Sequence, residues 1–285
     1  MAPQQPDYKI SVMSRDEIQI AINWANAEGW NPGLDDAVAF YAADPQGFLI
    51  GRLNNLPITT ISAVKYGTSF GFIGLYIAEK NYRQKGYGIQ IWNNALASLR
   101  GRNVGLDGVV ALQENYKKSG FKLAHRNIRF AGRSKRAKPS SVKIVSLSSL
   151  TLNDLSNYDR LFFPEQRNSF LKAWINQPHC HALGIVENTK LLGYGVIRAC
   201  QTGYKIGPLN AENKDLASEL FNALVSKVPV GSAIYLDTPE PNTQAIEMAQ
   251  RNEMEPSFET ARMYTGSFPE ISLHKIFGIT TFELG

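Results

Sequence analysis

A short run rich in glycine and basic residues is the part of this 285-residue sequence best suited to bind an anion. Residues 82–88 read Tyr-Arg-Gln-Lys-Gly-Tyr-Gly and lie between an apolar segment and an amphipathic one. Glycine lets the backbone turn tightly and approach a ligand without a Cβ atom in the way. Where such a turn opens a helix, its free N–H groups bind phosphate, and Arg83 and Lys85 add positive charge. Two glycines before a helix are a weak signal by themselves, because a plain connection has the same composition.

Two other common phosphate-binding motifs do not match this run. The Walker loop requires Gly-Lys followed by Ser or Thr, and the dinucleotide fingerprint requires a third glycine where this sequence has Ile91. Further along, residues 115–121 read Asn-Tyr-Lys-Lys-Ser-Gly-Phe. The order and spacing of these two segments form a more specific signal than either segment alone.

Together the two segments resemble the GNAT superfamily of acyl-CoA N-acyltransferases. Residues 83–88 match its pyrophosphate-loop pattern, Arg/Gln-x-x-Gly-x-Gly/Ala after an aliphatic strand, and residues 115–121 match its Asn, Tyr-x-x-x-Gly-Phe segment. Residues 28–33, 106–109 and 262–266 are similar to a bacterial branch of tandem GNAT proteins, in which the second half is a divergent GNAT-like domain. The resemblance covers most of the chain and implies the fold better than the substrate.

The resemblance implies an acetyl-CoA site in the N-terminal half. Backbone groups at a strand end would pair with the pantetheine arm, N–H groups of the glycine-rich loop would hold the pyrophosphate, and Asn115 would lie near the pantetheine. Tyr116 would protonate the departing thiolate, with simple packing as the alternative role. The implied cofactor-binding residues are Tyr76, Ile77, Ala78, Arg83, Gln84, Lys85, Gly86, Tyr87, Gly88 and Asn115.

Acylation of an amine also requires a base, because a protonated amine cannot attack a thioester. Many superfamily members place a carboxylate on the strand before the loop, but residues 72–76 contain none. Asp107 on the next strand and Glu28 after the first helix are therefore our candidate bases, with a turn or capping role as the alternative for Asp107. Trp30 and Tyr41 are candidates for the acceptor site, and packing is the alternative for each.

The predicted elements occur in a similar order in the two halves. A meander of strands followed by alternating helix and strand indicates an α/β class with a mixed α+β sheet. We expect two tandem GNAT-like domains, each a mostly antiparallel central sheet flanked by helices. They span residues 1–135, with the acetyl-CoA site, and residues 142–285, joined by a basic linker over residues 136–141. Residues 206–213 lack the pyrophosphate-loop pattern and carry Glu212, so we predict no CoA site in the second domain.

Charge is distributed unevenly along the chain, whose formal net charge is +5. The first 141 residues hold 18 Lys and Arg against 10 Asp and Glu, whereas the remainder holds 12 against 15. A basic first half predicts an anionic ligand there, such as a phosphorylated cofactor. Nucleic acid is the competing partner, and charge alone does not separate the two.

Membrane insertion and metal binding are not predicted. No stretch approaches the roughly 18 apolar residues that a membrane helix needs, and residues 1–7 lack the features of a secretory signal. Cys180 and Cys200 are the only cysteines, which is neither a disulfide framework nor a metal quartet. His179 and His181 flank Cys180, but no third or fourth ligand is evident. We therefore expect a cytoplasmic protein without a metal.

The leading function is transfer of an acetyl group from acetyl-CoA to a primary amine of a small metabolite or amino-acid-like acceptor. The amine would attack directly in a ternary complex. One alternative is a non-catalytic acyl-CoA sensor, motivated by the missing strand carboxylate. Another is an acetyltransferase that acts on a protein or nucleic acid, motivated by the basic first half. The second domain has two open roles, covering the acceptor site or forming a homodimer surface.

Overall fold

The computed structural model describes residues 7–136 and 142–285. The predicted linker, apart from Arg136, and residues 1–6, part of the segment tested for a secretory signal, lie outside these ranges. None of the helices in the described ranges combines the length and the apolar character that crossing a bilayer requires.

The first half contains six strands and four α-helices in the described residues. In chain order they are β1 (Tyr8–Val12), α1 (Ile18–Ala27), α2 (Asp36–Ala43), β2 (Phe48–Leu53), β3 (Leu56–Tyr66), β4 (Phe70–Ala78), α3 (Tyr87–Ser98), β5 (Asn103–Val109), α4 (Gln113–Lys118) and β6 (Lys122–Arg133). The predicted helix before Glu28 is α1, and the amphipathic segment after the glycine-rich run forms α3. The helix α2 and the strand β6 were not predicted.

The second half repeats this order with seven strands and four α-helices in its described part. They are β7 (Ile144–Ser146), α5 (Leu152–Asp159), α6 (Asn168–Trp174), β8 (Cys180–Glu187), β9 (Lys190–Ala199), β10 (Tyr204–Ala211), α7 (Lys214–Val225), β11 (Ala233–Pro239), α8 (Thr243–Arg251), β12 (Glu255–Tyr264) and β13 (Ile276–Gly278). The helices and the mixed sheet confirm the predicted α/β class.

All thirteen strands of the described residues belong to one sheet, in which the two halves exchange strands. The order is β1-β2-β3-β4-β5-β12-β6-β11-β10-β9-β8-β7, with β13 paired to β10. Strand β12 of the second half therefore lies between β5 and β6 of the first, and β6 lies against β11 of the second. Each half thus completes the sheet of the other, while the predicted domain boundaries stay a prediction.

The two halves also share a hydrophobic core. The ring of Phe40 on α2 stacks between Phe48 on β2 and Trp174 on α6, with ring centroids 6.3 Å away on each side. All three side chains are fully buried. Burial of a large apolar side chain contributes about 1.5–3 kcal/mol, so this stack joins the halves independently of the exchanged strands.

Two buried ion pairs cross the exchanged strands at matching positions. Asp107 on β5 faces Arg262 on β12, and Asp237 on β11 faces Arg129 on β6. Each pair is bidentate, with N–O distances of 2.6 and 2.8 Å. In both cases the carboxylate comes from one half and the guanidinium from the other.

Candidate active site

A cleft opens where two parallel strands of the first half separate. Strands β4 and β5 pair from Phe70 with Asn103 as far as Ile73 with Leu106, and beyond that point no pairing between them is present in the described residues. A cavity of about 700 Å³ lies between the separated ends of β4 and β5. Leu75 has a positive φ of 48°, and the β3–β4 register shifts beside it, so β4 bends at the mouth of the cleft.

Most of the residues that the sequence nominated meet at this cavity. Those that line it are Glu28, Trp30, Tyr76, Ile77, Ala78, Arg83, Gln84, Gly86, Gly88, Asp107 and Tyr116. They come from the loop after α1, the end of β4, the loop before α3, the first turn of α3, the end of β5 and the helix α4. The structure therefore brings together residues that are up to 88 positions apart, counting from Glu28 to Tyr116.

The glycine-rich loop leads directly into α3. Gly86 is the N-cap of α3 with φ of 85°, and Gln84 also has a positive φ, of 61°. A Cβ atom built on Gly86 would meet nothing within 4 Å, so the space in front of the loop is open. The N–H groups of a first helical turn have no partner within the helix, and no side chain of the described residues caps α3. This helix start can therefore accept an anion.

Arg83 and Glu28 are paired at the rim of the cavity. The Arg83 guanidinium donates to a Glu28 carboxylate oxygen and, through Nε, to the Ala78 carbonyl at 2.9 Å. The Arg83 side chain stays 42% exposed. The pair ties the loop after α1 to the end of β4, so two of the predicted site segments are held together.

Tyr116 lies at the inner side of the cleft. Its ring is 5.6 Å from that of Trp92, and a Cβ atom on Gly108 would lie 2.2 Å from its Cε2 atom. Only glycine at position 108 therefore leaves room for the phenol. Burial, and secondarily the nearby Tyr76, raises the pKa of Tyr116 to about 12. The phenol keeps its proton at neutral pH and is available as a proton donor.

Asp107 lines the cavity, and both of its carboxylate oxygens already accept hydrogen bonds. Its Oδ1 atom accepts from Arg262 Nε at 2.8 Å and from Asn127 Nδ2 at 2.7 Å, and its Oδ2 atom accepts from Arg262 Nη2 at 2.6 Å. Burial raises the pKa of Asp107, while Arg262 and Asn127 act in the opposite direction. Its predicted role as a base stays a prediction, and its observed partners give it a structural role.

Four nominated residues do not line the cavity. Lys85 is exposed, with Nζ 5.6 Å from the centroid of the Tyr82 ring. Tyr87 packs on Tyr8 with a ring-centroid distance of 4.9 Å. Asn115 is exposed on α4, and Tyr41 packs against the core that both halves share. Their predicted ligand contacts stay predictions.

Four residues of the second half line the cavity and were not nominated from the sequence. They are Phe258 and Thr260 on β12, and Phe282 and Glu283 near the end of the chain. The carbonyl oxygen of Glu283 lies so close to β4 that a Cβ atom on Gly74 would be 2.0 Å from it. The second half therefore forms part of the cavity wall, while covering of the acceptor site and a homodimer surface both stay predictions. No local sequence pattern predicts these contacts, because they depend on the strand exchange between the two halves.

A metal centre is not formed by the described residues, which contain no group of three or more His, Cys, Asp or Glu side chains arranged to hold an ion. The two cysteines, Cys180 and Cys200, are free thiols. Carboxylates, phenols and backbone groups are among the polar groups that line the cleft.

Sequence comparison identifies the family. Residues 155–278 match a family model described as an acetyltransferase (GNAT) domain. The chain is 31% identical over 272 residues to the holothin acyltransferase of Pseudoalteromonas sp. (strain SANK 73390), an alignment that covers 95% of this chain and 92% of the relative. The chain belongs to the GNAT superfamily of acyltransferases and is an acyltransferase. The matched residues lie in the second half, which has GNAT character although it lacks the pyrophosphate-loop pattern.

Solved structures agree on the tandem arrangement. A candidate acetyltransferase of Pyrococcus horikoshii superposes with a TM-score of 0.83 at 21% identity, over 100% of this chain and 98% of that one. A tandem GNAT protein from the clavulanic acid biosynthesis pathway superposes with a TM-score of 0.64 at 12% identity, over 92% of this chain and 100% of that one. At these identities the likeness establishes the fold, a tandem GNAT fold.

Proposed function

We propose that this protein is an N-acetyltransferase that transfers the acetyl group of acetyl-CoA to a primary amine. The acceptor is a small metabolite or an amino-acid-like molecule, and the amine attacks directly in a ternary complex without a metal. The observation that carries the proposal is the cleft between β4 and β5, which opens beside the uncapped start of α3. One continuous cavity joins the loop before α3 to Tyr116.

The cofactor would lie along β4. Residues 74–78 pair with β3 on one side, and their other edge faces the cleft, so the pantetheine amides can bond to the backbone as an added strand would. The pyrophosphate would bind N–H groups of residues 84–88 at the start of α3. The predicted roles of Arg83, Lys85, Tyr87 and Asn115 in holding CoA belong to this proposal.

The reaction follows from the groups at the inner end of the cleft. The amine nitrogen forms a bond to the thioester carbon, and a backbone N–H at the end of β4 stabilises the oxyanion. The C–S bond then breaks, and the thiolate takes the Tyr116 proton. Tyr116 recovers a proton from the nitrogen, which becomes the amide. Asp107 and Glu28 stay proposed bases, although each is held in an ion pair.

A small acceptor is favoured over a protein or nucleic acid. Residues Phe258, Phe282 and Glu283 of the second half close one side of the cavity, which leaves a volume of about 700 Å³ for both ligands. The holothin acyltransferase to which the chain is similar acts, by its name, on holothin. We further propose a cytoplasmic location, where acetyl-CoA is available and the two free thiols stay reduced.

Calorimetric titration of acetyl-CoA into the purified protein tests the proposal. We expect one site per chain, because the second half lacks the loop pattern. Binding should be followed by acetylation in a screen of primary amines, measured by release of free CoA. Absence of binding would contradict the proposed cofactor site, and two sites per chain would contradict a silent second half.

A further inference from the structure

One carboxylate at the cavity has a free oxygen in a buried position. Glu283 is 2% exposed and lines the cavity beside the bend in β4. Its Oε2 atom accepts from the Thr281 hydroxyl, whereas its Oε1 atom has no hydrogen-bond partner among the described residues. A buried acceptor without a partner is unfavourable, and Glu283 is part of the cavity wall. This combination points to a hydrogen-bond donor that the ligand supplies.

The neighbouring cations do not donate a hydrogen bond to the Oε1 atom of Glu283. Arg129 and Arg198 lie within electrostatic reach of Glu283, but they form bidentate pairs with Asp237 and Asp36. Lys205, also within reach, donates to the Trp30 carbonyl at 3.3 Å. In the part of the chain that the structure describes, no lysine or arginine lies within 4.0 Å of the Glu283 carboxylate.

The other two carboxylates at the cavity are engaged differently. Both oxygens of Asp107 accept hydrogen bonds from Arg262. Glu28 is paired with Arg83 at the rim. Among the three cavity carboxylates, Glu283 is therefore the one with a buried oxygen that has no hydrogen-bond partner in the described residues.

Aromatic side chains surround the same part of the cavity. Phe258 and Phe282 lie with ring centroids 6.0 Å apart, and both line the cavity together with Trp30. The Arg129 guanidinium is 4.8 Å from the Phe282 ring centroid, which holds this ring in place from outside the cavity. Flat apolar walls beside a carboxylate suit a ligand with a ring and a nearby ammonium group.

We propose that Glu283 binds the ammonium group of a ring-bearing acceptor amine and takes one of its protons. This inference rests on the proposed function. The ammonium N–H bond breaks, its proton moves to a Glu283 oxygen, and the nitrogen keeps the electron pair that attacks the thioester carbon. After the transfer described above, Glu283 releases its proton to water when the product leaves. The second half thus contributes the base that β4 lacks.

The test compares Glu283→Gln with wild type on two probe amines at neutral pH. Benzylamine is protonated under these conditions, whereas aniline carries a ring and is neutral. The glutamine side chain keeps the shape of Glu283 but cannot accept a proton. We expect turnover of benzylamine to fall by about 10²-fold, the lower end of the range for loss of a general base. Turnover of aniline and affinity for acetyl-CoA should stay unchanged.

Glu259→Gln is the matched control, because Glu259 is exposed on β12 next to Phe258. An equal loss with both amines would give Glu283 a structural role and overturn the inference, as would no loss with either. A wild-type protein that binds acetyl-CoA but acetylates neither amine would overturn the ring-bearing acceptor alone. Failure to bind acetyl-CoA would instead contradict the proposed function.

Discussion

At the scale of single residues, Tyr116 has a hydroxyl that burial keeps protonated and a ring that packing holds in place. Its hydroxyl lies close to the Val109 backbone, while its ring packs against Trp92 and the Gly108 backbone. A pKa raised to about 12 by burial makes the free phenol a weak acid. In the proposed reaction the amine nitrogen becomes positively charged during attack, and it can return a proton as Tyr116 gives its own to the thiolate. The transfer therefore does not require a stable phenolate.

Tyr116→Phe should lower turnover of the acetylated amine by about 10²-fold, the lower end of the general-acid contribution. The phenylalanine ring keeps the packing against Trp92 and Gly108, so affinity for acetyl-CoA and thermal stability should stay close to wild type. Steady-state kinetics, calorimetry and thermal unfolding measure the three quantities. Tyr204→Phe is the control, because Tyr204 packs against the core of the second half and is not part of the cavity lining. Unchanged turnover in Tyr116→Phe would remove this residue as the acid.

Single residues also show which parts of the candidate site can be predicted from the sequence and which cannot. Gly86 and Tyr116 follow from local patterns, since each belongs to a short segment whose neighbours define its setting. Glu283 does not, because its place at the cavity depends on contact with Gly74, more than 200 positions earlier. The contacts of Asp107 were not predicted for the same reason. Its partner Arg262 lies 155 positions away.

At the scale of elements, the start of α3 is set by two residues with positive φ, Gln84 and Gly86. Glycine reaches this region without strain, and the turn leaves the first N–H groups of the helix pointing at open space. The apolar face of α3 buries Ile91, Trp92 and Ala95, which fixes the direction of the helix axis. The anion site is thus positioned by packing on the opposite side of the same helix.

Gly86→Glu should abolish binding of acetyl-CoA, because it places a negative charge where the pyrophosphate is expected. Gly101→Glu is a closely matched control. Both glycines have positive φ, 85° and 83°, and a Cβ atom at either meets nothing within 4 Å. Each variant should lose about 1 kcal/mol of stability from backbone strain. Calorimetry should then find binding in Gly101→Glu alone, and equal affinities would contradict the assigned loop.

Strand β12 and helix α2 were not predicted, and they share a physical cause. Strand β12 ends in five consecutive buried residues, including Arg262, instead of an alternating pattern. A buried arginine is stable only with a paired carboxylate, which the other half supplies. Helix α2 begins with Asp36, which is fully buried because Arg198 on β9 pairs with it. A local sequence pattern does not predict an element whose buried charged residue is neutralised by an ion-pair partner far along the chain.

At the scale of the whole molecule, the strand exchange makes the two halves mutually dependent. Arg129 and Arg262 lie at the same distance from the starts of β6 and β12, and each pairs with an aspartate at the fifth residue of β11 or β5. The ion pairs are therefore repeated features of a duplicated fold, each linking one half to the other. On this reading Asp107 is the counterpart of Asp237, whose position is away from the cavity lining.

Asp107→Asn and Asp237→Asn should therefore destabilise the protein to a similar extent. Each leaves a buried guanidinium without its countercharge, which costs about 3–5 kcal/mol, whereas Asp16→Asn at an exposed position should have no measurable effect. Urea unfolding followed by circular dichroism and by tryptophan fluorescence measures the loss. We expect one cooperative transition for all proteins, with coincident signals. Two separate transitions would contradict the interdependence of the halves.

The same pair of variants decides what Asp107 contributes to catalysis. If its role is to hold Arg262, turnover per folded Asp107→Asn molecule should stay within about tenfold of wild type, well above the loss expected for a missing general base. If Asp107 removes the amine proton, turnover should fall by 10²-fold or more even where the protein is fully folded. The second outcome would support Asp107 as the base and leave Glu283 only the role of binding the acceptor. Measuring folded fraction and turnover on the same samples separates these outcomes.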